Sequence, residues 1–103
     1  MSESIRIRAR WRDGATDVQL LMPHPMETGL RSDDTGRLVP VHHITDVTVA
    51  VAGRAVLVAQ FGMAVSRDPL IAFRCTAARP GDRVSVTWLD SRGEQRSGET
   101  LVA

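Results

Sequence analysis

The amino-acid sequence predicts an all-β fold, a single antiparallel β-sandwich of about seven strands. The chain has 103 residues, which is enough for one domain spanning residues 1–103. Val, Ile and Thr, which favour strands, number twelve, four and eight. Short segments of alternating apolar and polar residues follow one another at spacings of about 8–12 residues, and none of them has helical periodicity.

The first two strands form a predicted hairpin. In the first strand, apolar residues alternate with arginines: Ile5, Ile7, Ala9 and Trp11 against Arg6, Arg8, Arg10 and Arg12. This period of two indicates a half-buried strand whose outer face is an arginine stripe. Asp13-Gly14 supplies a turn. Residues 16–22 return as a second strand, with Val18, Leu20 and Met22 facing inward.

Five more segments have strand character: residues 44–51, 54–60, 70–76, 83–89 and about 95–102. Turns are predicted at Ala52-Gly53, Pro80-Gly81-Asp82 and Ser91-Arg92-Gly93. The sequence of short strands and turns is typical of an immunoglobulin-like β-sandwich. Because the chain has a single Cys, the paired Cys of true immunoglobulin domains is absent. The likeness is therefore one of architecture, and a small barrel of the OB-fold type is the alternative.

Two irregular segments interrupt the strands. Residues 23–40 form a long polar connection, and residues 61–66 form an apolar stretch that ends near Pro69. Long loops, and loops with apolar groups, often mark an interface. We therefore predict a partner interface made of His24, Pro25, Met26, Glu27, Thr28, Gly29, Phe61, Gly62, Met63, Val65 and Ser66. The alternative is that both loops fold inward and cap the sandwich.

The charge balance argues against a dedicated binder of polyanions. Thirteen Arg and no Lys stand against twelve acidic residues, a net charge of +1. A groove for single-stranded nucleic acid would also need aromatic platforms beside the arginine stripe. The chain has four aromatic residues, and both Trp are expected on apolar faces. We expect the stripe to face solvent or a partner, with a nucleic-acid-binding β-barrel as the less favoured alternative.

No catalytic or cofactor motif is present, so we predict a protein that is not an enzyme and holds no cofactor. The sequence contains neither a nucleophile elbow nor a phosphate-binding loop. The alternative is a metal-binding redox domain that uses His24, His42, His43 and Cys75. Because His42 and His43 are adjacent, at most two of the three His can converge from a strand. No catalytic residue and no metal ligand is therefore assigned.

Cys75 shares a predicted strand face with Phe73, which indicates a buried and unreactive thiol. The alternative is a disulfide with another chain. No segment approaches the ~18 apolar residues of a membrane-spanning helix, so no membrane contact is expected. Residues 1–8, Met-Ser-Glu-Ser-Ile-Arg-Ile-Arg, lead straight into the charged alternation, without the apolar region of a signal peptide. Taken alone, these residues predict a cytoplasmic protein.

Several segments resemble the SoxZ family of sulfur-oxidation carrier subunits. The most specific is His-Pro-Met-Glu-Thr-Gly-Leu-Arg at residues 24–31. Further likeness lies in residues 40–44, 46–49, 61–62, 65–69, 72–74, 80–82 and 86–88. Together these segments extend over nearly the whole chain.

The resemblance implies a function that composition does not. A SoxZ-like protein forms a heterodimer, the SoxYZ complex, with SoxY, another small β-sandwich. A Gly-Gly-Cys-Gly-Gly arm ends SoxY, and its Cys carries covalent sulfur intermediates between periplasmic enzymes of thiosulfate oxidation. SoxZ has no catalytic residue in this scheme, and other Sox enzymes dock transiently on the complex. Export to the periplasm relies on the partner's signal.

Within this scheme, we expect Met26 and Phe61 to act as apolar anchors in the interface or beside it. The isolated chain can self-associate if that interface is left bare.

Overall fold

The computed structural model describes residues 4–62 and 65–103, which form seven strands. The strands are β1 (Arg6–Arg12), β2 (Ala15–Leu21), β3 (Ile44–Val51), β4 (Arg54–Gln60), β5 (Leu70–Cys75), β6 (Arg83–Asp90) and β7 (Gln95–Leu101). Every predicted strand is present, with ends that agree within one residue. No helix in these ranges is long and apolar enough to cross a membrane.

The strands form two antiparallel sheets that pack face to face. One sheet has the order β1-β2-β5, and the other has the order β4-β3-β6-β7. The chain passes from the first sheet to the second after β2, back again after β4, and to the second sheet once more after β5. This is an immunoglobulin-like sandwich, which confirms the fold class predicted from the sequence.

The strand alternation places the apolar residues between the sheets. The fully buried ones include Val18, Leu20, Met22, Ile44, Val47, Val49, Val84, Val86 and Trp88. Each such side chain stabilises the fold by roughly 1.5–3 kcal/mol relative to an exposed position. Trp11 also lies on the inward side of its strand, but it is 37% exposed because β1 is an edge strand of its sheet.

Cys75 lies in the core, at the end of β5, and is only 9% exposed. It pairs across the sheet with Thr16, whose hydroxyl donates a hydrogen bond to the Ala78 carbonyl at 2.8 Å. The prediction of a buried thiol is therefore confirmed.

Two hairpins use turns in which both central residues have positive φ. Asp13 and Gly14 connect β1 to β2, with φ values of 52° and 83°. Ala52 and Gly53 connect β3 to β4, with φ values of 50° and 84°. Such turns match the right-handed twist of antiparallel strands. The short hairpins keep one end of the sandwich compact and leave the long loops to the other end.

Candidate functional site

The two predicted interface loops meet at one end of the sandwich. We call this the loop end: residues 22–43, residues 61–69 apart from 63 and 64, and residues 91–94. The amide of Met22 donates to the Pro69 carbonyl at 3.0 Å. The amide of Asp68 donates to the His24 carbonyl at 3.0 Å, and the amide of His24 donates to Asp68 Oδ1 at 2.9 Å. The first loop is therefore held directly against the second.

His24 occupies the centre of the loop end, with a side chain that is 1% exposed. Its Nδ1 accepts a hydrogen bond from the Met26 amide at 3.1 Å. Its Nε2 lies 3.1 Å from Asp90 Oδ2. Because Nδ1 accepts, the single proton of the neutral ring is on Nε2 and is donated to Asp90. The ring also packs edge-on against Trp88, with centroids 5.1 Å apart.

Asp90 receives four hydrogen bonds although its side chain is fully buried. Its Oδ2 accepts from Nε2 of His24 at 3.1 Å and lies 2.9 Å from Nε2 of His42. Its Oδ1 accepts from the amides of Arg92 and Glu94, each at 2.9 Å. These contacts fix the β6–β7 turn to the β2–β3 loop. We call His24, His42, Asp90 and the Met26 amide the His24 network.

The network shifts the pKa values of two of its members. Burial lowers the pKa of His24, although the hydrogen bond to Asp90 acts in the opposite direction. Burial alone would raise the pKa of Asp90. The hydrogen bonds from His24, from the two turn amides and from His42 together outweigh it, and the pKa is lowered. The neutral imidazole and the ionised carboxylate are therefore the stable forms.

Asp90 is a residue of the candidate site that sequence reasoning missed. It follows Leu89, the last residue of the predicted strand, and lies 66 positions from His24. An Asp directly before Ser-Arg-Gly was a usable signal, because Asp side chains often accept amide hydrogen bonds within turns. Nothing in the local sequence indicated that the same carboxylate would also meet two histidines.

The ligand atoms of His24, His42 and Asp90 all lie within 4.8 Å of one another, as in a small metal centre. The hydrogen bonding opposes that use. A metal-bound His donates from its other ring nitrogen, whereas Nδ1 of His24 accepts from the Met26 amide. Nε2 therefore keeps its proton, and a metal would displace it only by breaking that contact. The geometry favours a hydrogen-bond network over a metal centre.

The four residues of the alternative metal site are not brought together. His24 and His42 converge, with ring centroids 4.5 Å apart, which matches the limit of two expected from the sequence. Nδ1 of His43 lies against the Ile44 carbonyl at 3.1 Å. Cys75 lies at the far end of β5 from the loop end.

The predicted interface residues differ in exposure. Pro25, Gly62 and Ser66 are exposed; Glu27, Thr28, Gly29, Phe61 and Val65 are half-buried; His24 and Met26 are buried. Met63 lies outside the described residues. Whether these residues contact a partner stays a prediction.

The prediction that Met26 is an apolar anchor of the interface needs a correction, because its side chain does not lie at the surface. It is 6% exposed and belongs to the core cluster. Its Sδ accepts a hydrogen bond from the Ile44 amide at 3.3 Å. The alternative that the loop folds inward is right for this residue. Phe61 and Val65 also pack against the core, but each remains partly accessible.

Three other apolar residues, all in the long loop, are exposed to solvent. Leu30 is 79% exposed, Leu38 is 64% exposed and Val41 is 45% exposed. We call these three residues the apolar loop surface. The segment that carries it is ordered by local contacts: Arg31 binds Glu27 through two nitrogens, and Ser32 and Leu38 form an isolated bridge. Sequence reasoning passed over these residues because it treated residues 23–40 as one polar connection.

The arginine stripe lies on the outer face of β1, as predicted. Asp17 is its acidic neighbour, and it pairs with Arg12 at 2.8 Å and with Arg74 at 3.5 Å. The register places Trp11 and Phe73 on the opposite side of this sheet. In the described part of the chain, the outer face therefore has no aromatic side chain on which a base could stack. A groove for single-stranded nucleic acid needs such side chains beside its arginines, so the structure does not support the nucleic-acid alternative.

A family model described as Sulphur oxidation protein SoxZ matches residues 5–101. The match extends over all seven strands and over both loops of the loop end. No curated protein matches the chain significantly.

Proposed function

The chain belongs to the SoxZ family of sulfur oxidation proteins, and from this premise we propose that it is a non-catalytic subunit of a sulfur carrier complex. In this proposal it pairs with SoxY as a heterodimer, and the Cys of the SoxY arm carries the covalent sulfur. The chain supplies a rigid base and part of the surface on which Sox enzymes dock transiently.

The burial of Cys75 carries the proposal. Covalent sulfur transfer needs an accessible thiolate. The sequence has one Cys, and its side chain lies in the core, 9% exposed. A buried thiol in a member of a sulfur oxidation family fits a role beside a partner that has an accessible one. This supports a non-catalytic role beside a thiol-bearing subunit.

The apolar loop surface is our proposed centre of the partner contact, with the half-buried Phe61 beside it. Its three exposed apolar side chains lie on one loop, and exposed apolar groups of this kind commonly mark interfaces. This revises the expected anchors. Met26 acts from inside the loop by fixing its shape, and Leu30, Leu38 and Val41 offer the accessible area.

Affinity purification of the chain from its native host, followed by intact-mass analysis, tests the pairing. We expect a stoichiometric small partner that ends in Gly-Gly-Cys-Gly-Gly and carries sulfur-containing mass additions. A Cys75→Ala variant should recover the same partner with the same additions. If the chain elutes alone with bound metal or nucleic acid, the proposal is wrong.

Two variants locate the interface. Leu30→Ala combined with Leu38→Ala should weaken partner binding by about 2 kcal/mol or more, as truncation of buried interface anchors does. Leu101→Ala is the matched control, because Leu101 is 58% exposed at the opposite end of the sandwich. Equal affinities for the double variant and for the control would place the contact elsewhere. Isothermal titration of the two purified subunits measures the difference.

We also propose that the complex works in the periplasm, where it arrives through co-export with the signal-bearing partner. The resemblance of the chain to SoxZ is what supports this location. Fractionation of cells with and without the partner gene tests it. The chain should leave the periplasmic fraction when the partner is deleted, whereas export that continues without the partner would contradict the proposal.

A further inference from the structure

A cleft of about 560 Å³ opens to solvent at the loop end, beside the His24 network. Its walls come from the start of β1, from the β2–β3 and β4–β5 loops, and from the β6–β7 hairpin. The charged and titratable residues that line it are Arg6, Arg67, Arg96, His24, His42, Asp68 and Glu94. The fold therefore gathers three guanidinium groups from distant parts of the chain around one concavity.

The two acidic residues of the cleft are already engaged. Asp68 Oδ1 accepts the backbone N–H of His24 at 2.9 Å. A carboxylate oxygen of Glu94 lies 2.7 Å from a guanidinium nitrogen of Arg96. Glu94 is thus paired with a positive charge, whereas a neutral amide leaves the charge of Asp68 in place. The lining carries three guanidinium groups against two carboxylates, and Arg6 and Arg67 remain to be accounted for.

Arg6 and Arg67 make no hydrogen bond and no close ion pair within the residues that the structure describes. Arg67 is near enough to Glu27 to help lower the pKa of that carboxyl. The Glu27 carboxylate, however, is bound by Arg31 through two nitrogens, at 2.7 and 3.1 Å. The cleft thus presents two guanidinium groups that no described residue holds by a hydrogen bond.

We propose that this cleft binds a small sulfur oxoanion of the sulfate or thiosulfate type, with Arg6 and Arg67 as its ligands. A guanidinium group presents paired N–H donors that match two oxygens of a tetrahedral oxoanion. The preference for sulfur over other oxoanions rests on the proposed function, whereas the anionic character of the ligand rests on the two arginines alone.

The oxoanion can arrive from two sources. It can be a free ion, or it can be the end group of a sulfonated thiol on a partner. Both present the same oxygens to the guanidinium groups, and they differ in the atoms attached to sulfur. S-sulfocysteine serves as the probe for the second source, and sulfate and thiosulfate serve for the first.

The test is a titration of the isotope-labelled full chain, followed by amide chemical shifts at constant ionic strength. The added salts are sulfate, thiosulfate, S-sulfocysteine, phosphate and chloride. We expect saturable shifts for the amides of His24, Arg67 and Arg96 with the sulfur oxoanions. Arg6→Gln and Arg67→Gln should each weaken binding by about tenfold or more, the usual effect of losing a charge-assisted hydrogen bond.

Arg8→Gln is the matched control, because Arg8 is exposed on the same face of the same strand as Arg6 but does not line the cleft. Its affinity should equal that of the unmodified chain. Tighter binding of S-sulfocysteine than of sulfate supports the partner-borne source, and equal binding supports the free ion.

Shifts that do not saturate, equal shifts with chloride or phosphate, or equal losses in Arg8→Gln and Arg67→Gln overturn the proposal. These results are independent of partner recovery in the purification described above. A chain that recovers its partner but binds no oxoanion overturns only the cleft. A chain that binds the oxoanion but recovers no partner overturns only the carrier role.

Discussion

Each polar atom of His24 has a partner, so the contacts of one residue fix the positions of several others. The backbone N–H and C=O bind Asp68, Nδ1 accepts from Met26, and Nε2 donates to Asp90. Buried polar groups are costly when they lose a partner, because the remaining group stays desolvated. The stability of the loop end therefore depends on the exact atoms in this network and cannot be supplied by apolar burial alone.

Asp90→Asn should destabilise the fold by about 2–4 kcal/mol. The substitution keeps the shape of the side chain, but it removes the charge and replaces one acceptor oxygen with a donor. At least one of the four N–H groups that face Asp90 then lacks an acceptor. Urea unfolding measures the loss. Asp46→Asn, on the half-buried outer side of β3, is the control and should change stability by less than about 1 kcal/mol.

The His24 network also predicts how stability depends on pH. The folded pKa of His24 lies below its usual value of 6.5, chiefly because burial disfavours the charged ring. Below pH 6.5, the unfolded chain therefore binds more protons at this residue than the folded chain. The free energy of unfolding should be highest above this pH and should fall by at most about 1.4 kcal/mol per pH unit below it.

Asp90 adds a second loss of folding stability at lower pH, because its folded pKa lies below the usual 3.8. Its stabilising effect is present above that value and is lost as the pH falls through the folded pKa. Urea unfolding as a function of pH measures both effects. His24→Gln should flatten the slope just below pH 6.5, whereas His43→Gln should keep it. Identical slopes in the two variants would show that another group is responsible.

At the scale of elements, the strands were predictable and the shape of the loops was not. Alternation with a period of two shows both that a segment is a strand and which of its side chains point inward. For that reason, the ends of β3 and β4 were predicted to the residue. A loop has no such period. The burial of Met26 depends on its positive φ of 51° and on the distant Ile44 amide, neither of which the local sequence shows.

Within the β2–β3 loop, Gly29 holds the chain close to Val41. Its φ is +85°, and a Cβ at this position would lie 2.7 Å from Cγ2 of Val41. Gly29→Ala should lower the free energy of unfolding by about 2 kcal/mol, because the backbone is strained and the added Cβ overlaps Val41. Gly36→Ala is the matched control in the same loop, because its φ is +83° and no atom lies within 4 Å of the added Cβ.

Gly36→Ala should lower the free energy of unfolding by about 1 kcal/mol, because only the backbone strain applies there. Thermal or urea unfolding of both variants gives the difference, which isolates the contact with Val41. Adding Val41→Ala to Gly29→Ala should recover that difference. Equal costs for the two glycines would mean that Val41 moves aside freely.

The two sides of the whole sandwich are closed differently. On one side, the terminal Ala103 exchanges backbone hydrogen bonds with β1, at 2.9 Å to Trp11 and 3.0 Å to Ala9. On the other side, β4 pairs only with β3 in the described structure and carries the apolar run 55–59, with Val58 68% exposed. An apolar edge strand of this kind can pair with another chain.

We therefore expect the isolated chain to self-associate through β4 at high concentration. Val58→Lys should shift the molecule toward the monomer, because a charge on an edge strand opposes pairing. Leu101→Lys is the control, since Leu101 is similarly exposed on β7, the strand beside β1. Sedimentation velocity over a concentration series measures the effect. If both variants associate as the unmodified chain does, β4 is not the contact.

A single histidine, which joins three loops through its ring and its backbone, also determines how the loop end opens. The amides of Met26, Asp68, Arg92 and Glu94 all end on His24 or Asp90. We expect these amides to exchange with solvent deuterium through opening of the shared network, with one common opening free energy. The Thr35 amide, bound to Asp33 in the exposed part of the loop, should exchange faster and independently. The region around His24 is then either wholly formed or wholly open, whereas the exposed part of the β2–β3 loop opens separately.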